Sequence, residues 1–195
     1  AKAVSELKAL GLECIMLTGD NRATANAIAS ASGINTIYSE LLPDDKNTII
    51  NTLKEKGTVI MVGDGINDAP ALTTADIGIS MSAATDIAIE ASDIVLIGDK
   101  MTSLPAAIRL SRKTLSTIYG NLFWAFFYNL LCIPFAAGAF ITLFNGYTIS
   151  PMLASAAMSL SSICVVTNAI RLNFVKIFDK KEKKKMQKTL IIEGM

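Results

Sequence analysis

Four apolar residues, Val59-Ile60-Met61-Val62, run directly into Gly63-Asp64-Gly65-Ile66-Asn67-Asp68, and this junction limits the possible folds more than any other stretch. A short, uninterrupted apolar run is characteristic of a strand in the middle of a parallel sheet, covered on both faces. Two glycines around one carboxylate let the backbone bend tightly at the strand's carboxyl end, where open α/β sheets place their ligands. Asp64 then projects into that crevice, and Asp68 follows about one helical turn later. Two such carboxylates suit Mg²⁺, which takes a few hard oxygen ligands, keeps several waters and often faces a phosphate. The alternative is an Asp-Gly turn followed by a helix that Asn67 or Asp68 caps. That reading explains neither the buried strand nor the second acid.

A similar loop lies upstream. Leu12-Glu13-Cys14-Ile15-Met16-Leu17 reads as a strand and Thr18-Gly19-Asp20-Asn21 as its exit. Residues Arg22 to Ser32 read as a helix that Gly33 can end. The Thr18 hydroxyl and the N–H groups of a helix start offer a place for an anionic phosphate, although simple capping explains Thr-Gly-Asp equally well. Between the loops, Pro43-Asp44-Asp45-Lys46 opens a helix predicted over 44–55. Lys46 there is either a point cation for a phosphate or a solvated surface lysine.

In this order, on alternating strands and helices, Thr18-Gly19-Asp20, Lys46 and Gly63-Asp64-Gly65-Ile66-Asn67-Asp68 resemble the last three motifs of the haloacid-dehalogenase-like phosphotransferases. The longer forms, Met16 to Asn21 and Gly63 to Leu72, look like those of P-type cation-transporting ATPases. The resemblance covers residues 1–178. It implies that Asp64 binds Mg²⁺ with Asn67 and Asp68 in support, and that Thr18 and Lys46 contact the phosphoryl group. Gly19 and Asp20, with Gly63 and Gly65, would lie near the nucleotide or phosphate. The sequence departs from the family at Ser82-Ala83-Ala84-Thr85-Asp86, where relatives carry Gly-x-Gly-Thr-Asp. The phosphorylated aspartate of an Asp-Lys-Thr-Gly sequence is absent from these residues, as is the nucleotide-binding insert. The chain therefore reads as a fragment of a longer protein, unable to turn over ATP alone.

Charge divides the sequence into two halves. Overall it is 51% hydrophobic and 18% charged, with a net charge of +1. Residues 1–100 alternate short apolar runs with capped helical segments, the pattern of a doubly wound parallel sheet. From Tyr119 to Phe144 and from Ile149 to Ile170 there is no Asp, Glu, Lys or Arg. Each stretch is long enough to cross a bilayer of about 30 Å. The predicted organisation is a partial α/β phosphorylation domain over 1–100, a connecting helix over 101–118 and a transmembrane hairpin of 119–144 and 149–170. A basic linker follows over 171–188. Residues 189–195 read either as an apolar frayed terminus or as the first strand of a truncated heavy-metal-associated domain. Arg109, Arg112 and Lys113 precede the first span, and Arg171, Lys176, Lys180 and Lys181 follow the second, while the turn between them is neutral. By the positive-inside rule, residues 1–118 and 171–195 are expected in the cytoplasm.

Polar groups within such spans usually face a pathway or a bundle interior. Tyr128 and Asn129 precede Pro134, and Met158, Ser161 and Ser162 share one helical face. Alone, they are as readily explained by close helix packing. Paired, Tyr128-Asn129 and Met158-x-x-Ser161 resemble the signature of copper-exporting P-type ATPases, which implies that Tyr128, Asn129, Met158 and Ser161 line a Cu⁺ path. A soft thioether suits Cu⁺, and the spans hold no carboxylate to neutralise a divalent ion. The chain has no histidine, so a histidine metal site is excluded. Cys14, Cys132 and Cys164 are expected to be small hydrophobes without disulfides. The resemblance implies Mg²⁺, ATP in the parent protein, and Cu⁺ as the transported ion. Its partners would be membrane lipid, the remaining transmembrane helices and nucleotide-binding domain of the parent chain, and a copper chaperone. Nucleic acid is not among them. Open alternatives are a pump for Ag⁺, Zn²⁺ or Cd²⁺, a membrane-tethered phosphatase and a non-catalytic membrane adaptor.

Overall fold

The structure is a computed structural model that describes residues 1–81, 84–98, 100–137 and 151–175. Within these ranges the side chains of Phe135, Ala136, Pro151, Leu153, Ala154, Ala157 and Met158 are not described. The chain divides into two compact units, Ala1–Ala106 and Ala107–Met195.

In the first unit helices and parallel strands alternate: α1 (Lys2–Ala9), β1 (Ile15–Leu17), α2 (Arg22–Ser32), β2 (Thr36–Tyr38), α3 (Pro43–Lys54) and β3 (Ile60–Gly63). A 3-10 turn at Ile66–Asp68 leads into α4 (Ala69–Thr74), β4 (Ile77–Met81), α5 (Asp86–Glu90) and β5 (Ile94–Leu96). α2 has the bounds predicted for it. The Asn21 side chain accepts from the Thr24 N–H at 2.9 Å, and Gly33 closes the helix at φ 77°, a conformation that glycine adopts without steric cost. α3 begins at Pro43, one residue before the predicted start, because proline fits the first helical position, where no N–H is needed.

The strands form two ladders, both parallel. β1 pairs with β2, Ile15 opposite Thr36, and β3–β4–β5 form a three-stranded sheet with Ile60 opposite Ile77 and Ile79 opposite Ile94. Only β4 is central and largely buried, with Ile79 and Ser80 at 3% and 0% exposure. Around it pack Ala71 and Leu72 of α4, Ala88 of α5 and Leu96 of β5. The Ser80 hydroxyl is satisfied by Ser92 at 2.8 Å, as a buried polar group requires. Gly78 is needed for space: a Cβ there would lie 2.6 Å from the Leu72 carbonyl oxygen.

Two expectations are corrected here. The strand predicted over 12–17 is confined to Ile15–Leu17. Gly11, at φ 80°, turns the chain so that the Leu12 N–H bonds back to the Leu7 carbonyl at 3.1 Å, which withholds it from the sheet. Among the described residues the Val59–Val62 run is not in the middle of a sheet. β3 has β4 on one side only among the described residues, and all four of its residues are half-buried. An apolar run reports that both faces need cover, but not which edges are paired.

The start of β4 is latched to β3 by Asp76. Its carboxylate accepts from the Val59 N–H at 2.8 Å and pairs with Lys54 Nζ at 3.2 Å. The hydrogen bond from Val59, helped by Lys54, holds the Asp76 carboxyl below its ordinary value of 3.8. A folded-state value below the unfolded one adds stability above the unfolded pKa, and that stability is lost as pH falls through the folded value. Relative to Asp76→Asn, the protein is therefore expected to be more resistant to urea at neutral pH. The difference should shrink as pH falls below 3.8 and vanish once the pH is below the lowered folded-state value, and a gap that persisted in strong acid would contradict this assignment.

The second unit contains most of α6 (Ser103–Ala136), all of α7 (Pro151–Ile170) and a 3-10 turn at Arg171–Phe174. Among the described residues no helix is long and apolar enough to cross a membrane. Asn121, Tyr128, Asn129 and Pro134 dilute the apolar content of α6, and residues 138–150, which complete the predicted hairpin, lie outside the described residues. The tail at 176–195, with its predicted strand at 189–195, also lies outside them.

Candidate functional site

Both predicted loops leave the carboxyl ends of parallel strands. Thr18 follows β1, and its N–H bonds to the Tyr38 carbonyl at 3.0 Å. The Thr18 hydroxyl donates to Asp20 Oδ2 at 3.0 Å and accepts from the Asp20 N–H at 3.1 Å. Gly19 sits close to the next loop, where a Cβ would lie 3.2 Å from the Leu41 carbonyl oxygen.

The second loop holds two carboxylates in different states. Asp64 is exposed, and its side chain has no hydrogen bond or ion pair among the described residues; only its backbone carbonyl is used, accepting from the Thr85 N–H at 3.0 Å. Asp68 lies on the 3-10 turn and accepts from Lys46 Nζ at 2.6 Å, with the two side chains 17% and 12% exposed. Lys46 is therefore not a solvated surface lysine. Nor does Asp68 cap α4, since its carboxylate makes no bond to that helix's N–H groups. Asn67 is exposed on the same turn.

Gly63 serves a purpose beyond the bend predicted for Gly63 and Gly65. Neither has a positive φ; Gly65 is extended at φ −110°. A Cβ on Gly63 would lie 2.7 Å from the Asp68 Cβ, so glycine here gives Asp68 room to reach Lys46.

The feature not anticipated is the Glu40–Lys46 segment, which ties the loops together. At one end the Glu40 N–H bonds to the Asp20 carbonyl at 2.9 Å and the Leu41 N–H to the Thr18 carbonyl at 3.1 Å; at the other end Lys46 reaches Asp68. Glu40 has φ 59°, an uncommon conformation for a non-glycine residue. No local signal marks Glu40 for that role. Thr85 could have been found, since Thr before Asp86 is an N-cap pattern: its hydroxyl accepts from the Ala88 N–H at 3.4 Å. The family departure bears partly on this loop. Ser82 and Ala83 lie outside the described residues.

The donor set fits Mg²⁺ in chemistry. Asp64 presents a carboxylate with no partner among the described residues, and Asp68 retains a second oxygen beside the one bound to Lys46. No group of three or more His, Cys, Asp or Glu capable of holding a metal exists among the described residues, so such an ion would keep most of its waters.

In the second unit Tyr128 is half-buried, with its ring 6.3 Å from that of Trp124, and Ser161 is half-buried on α7. Asn129 is instead exposed, next to Phe126 and Leu130 on the outer face of α6. Adjacent residues on a helix are about 100° apart, so both cannot face the same way. The Met158 side chain lies outside the described residues. Cys14, Cys132 and Cys164 are all free, and burial raises the Cys14 thiol above its ordinary value.

A parallel α/β unit with an acidic loop after β3, a lysine on the preceding helix and a threonine loop after β1 has the haloacid-dehalogenase-like fold. Residues 1–76 match the haloacid dehalogenase-like hydrolase family. The relatives of the chain are copper-transporting P-type ATPases. It is 54% identical over 170 residues to the probable copper-transporting ATPase PacS of Synechococcus elongatus, covering 87% of this chain and 23% of that protein. It is 52% identical over 176 residues to the copper-exporting P-type ATPase of Bacillus subtilis, covering 90% and 21%. Among solved structures it resembles a zinc-transporting PIB-type ATPase in the E2.Pi state, with a TM-score of 0.76 and 37% identity over 88% of this chain and 27% of that one. The chain thus spans about a quarter of the length of the relatives it matches.

Proposed function

We propose that this chain is the part of a Cu⁺-exporting ATPase that carries most of its phosphorylation domain and its last two transmembrane helices. The observation that carries the reading is similarity of about half identity that runs through both units rather than stopping at the α/β unit. In this reading Thr18 and Lys46 contact the phosphoryl group, with Gly19, Asp20 and Asn67 nearby. Asp64 and Asp68 would hold Mg²⁺, which supplies charge neutralisation at the transferring phosphoryl group. The nucleophilic aspartate comes from the remainder of the parent chain. The edges of β1 and β3 that have no neighbour among the described residues are suited to receive its strand, and without that aspartate the chain alone is inactive. Lys46 has two tasks: it neutralises Asp68 in the resting site and meets phosphoryl oxygens when they arrive.

Residues 119–144 and 149–170 form the membrane hairpin, with 1–118 and 171–195 on the cytoplasmic side. Tyr128, Asn129, Met158 and Ser161 line the ion path; the half-buried positions of Tyr128 and Ser161 support this reading, and Asn129 reaches the path only after a rotation of α6. A zinc pump is the second reading, favoured by the zinc-transporting structural neighbour. Lower identity to that neighbour and the absence of any carboxylate in the two stretches favour the monovalent soft ion.

The test is ATP hydrolysis by the full-length parent in lipid vesicles. Cu⁺ and Ag⁺ are expected to stimulate it, with Zn²⁺ and Cd²⁺ ineffective. Stimulation by Zn²⁺ alone would replace copper with zinc.

A further inference from the structure

Within the second unit, Asn168 Nδ2 on α7 donates to Asn121 Oδ1 on α6 at 2.7 Å, in a part-buried position. The carboxamide packs against the α6 backbone at Gly120, where a Cβ would lie 3.6 Å from Asn168 Nδ2. The less exposed residues of the two helices recur in step with this bond. On α6 they include Asn121, Ala125, Tyr128 and Cys132, and on α7 Ser161, Val165 and Asn168. Spacings of four and three keep each set on one helical face. The residues between them, including Phe126 at 70% and Ile163 at 60% exposure, point elsewhere.

Tyr128 lies seven residues after Asn121, and Ser161 seven before Asn168. At a rise of about 1.5 Å per residue, each is about 10 Å from the bond along its own helix and on the same face as the bond. In a hairpin the two displacements run in the same direction, so the asparagine bond sets Tyr128 and Ser161 level with each other. A polar link of this kind resists sliding because an amide pulled from its partner in apolar surroundings finds no replacement.

We infer that the Asn121–Asn168 hydrogen bond is a positioning device that fixes the register of α6 against α7 and thereby sets the affinity of the helix pair for a soft monovalent cation. This rests on the copper-export reading. Neither asparagine touches the ion; both act through Tyr128 and Ser161.

The experiment uses the full-length parent in vesicles. Asn121→Leu and Asn168→Leu are each expected to raise the KM for Cu⁺ about five-fold with kcat nearly unchanged, and the double variant to be no worse than either single one. Asn121→Asp, which keeps an oxygen acceptor for Asn168, should retain the original KM. Unchanged KM in the leucine variants, additive losses in the double variant, or an Asn121→Asp protein as impaired as Asn121→Leu would each overturn the proposal.

A copper-independent measurement separates this inference from the functional reading and serves even if a leucine variant is inactive. With Cys132 and Cys164 changed to serine, cysteines introduced at Ala125 and Val165, one turn from the bond on each helix, are expected to cross-link rapidly. Asn168→Leu should slow that reaction about five-fold. Cross-linking that ignores Asn168 sinks the proposal. Cross-linking that depends on it in a protein unresponsive to Cu⁺ sinks the copper reading alone.

Discussion

Asp64→Asn in the full-length parent is expected to reduce phosphoenzyme formation from ATP at least about a hundred-fold, while Cu⁺ binding and thermal stability stay as they were. The expectation of lost chemistry follows from charge: the Asp64 carboxylate is one of the two available to hold Mg²⁺ at the end of β3, and an amide oxygen is a much weaker ligand for a hard dication. The expectation of unchanged stability follows from the structure. The Asp64 side chain is exposed and makes no hydrogen bond or ion pair among the described residues, so its replacement removes no folded-state contact and should change stability by less than about 0.5 kcal/mol. Phosphoenzyme at the parental level, measured by acid-stable incorporation of the γ-phosphate, would refute the role given to Asp64. A large fall in melting temperature would show instead that Asp64 supports the fold.

Asp68→Ala is expected to differ in kind. Here the carboxylate is paired with Lys46 at 2.6 Å, and both side chains are mostly withdrawn from water. Removing one partner strands the other charge where solvent compensates it poorly, a loss of about 2 kcal/mol after allowance for the residual exposure of the pair. The melting temperature should fall by several degrees, with activity lost as well. Lys46→Met combined with Asp68→Leu removes both charges together and is expected to recover much of the stability but none of the activity. If Asp68→Ala melted like the parent, the ion pair would be incidental. If the double variant were as unstable as the sum of the singles, the two groups would not be coupled.

Together these two substitutions distinguish acids that sit only four residues apart. Asp64 would be a ligand held ready by having no partner, and Asp68 a ligand oriented by one. Gly63 makes the second state possible, because any Cβ at that position would occupy the space of the Asp68 side chain.

What was legible in the sequence had short-range causes. α2 was placed to the residue because Asn21 and Gly33 act on backbone groups within a few positions of themselves. The strand before Gly63-Asp64-Gly65 was recognised by its unbroken apolar run, and the copper-pump resemblance by motifs of a few residues each. The same local view went wrong where neighbours in space decide. It put Val59–Val62 in the middle of a sheet, although among the described residues β3 has a neighbour on one side only. It read Gly63 only as part of a tight bend and missed that it leaves space for the Asp68 side chain.

By itself, then, the sequence determined where α2, α3 and β3 form and which side chains carry charge to the strand ends, since propensity, capping and apolar period operate within a turn or two of chain. Only the tertiary structure decided which carboxylate Lys46 neutralises, that Glu40 and Leu41 tie the Thr18 loop to the same helix, and that Asn168 meets Asn121. Those contacts join residues 20 to 47 positions apart. No local preference specifies such a meeting, because it depends on how sheet, helices and loops close on one another as a whole.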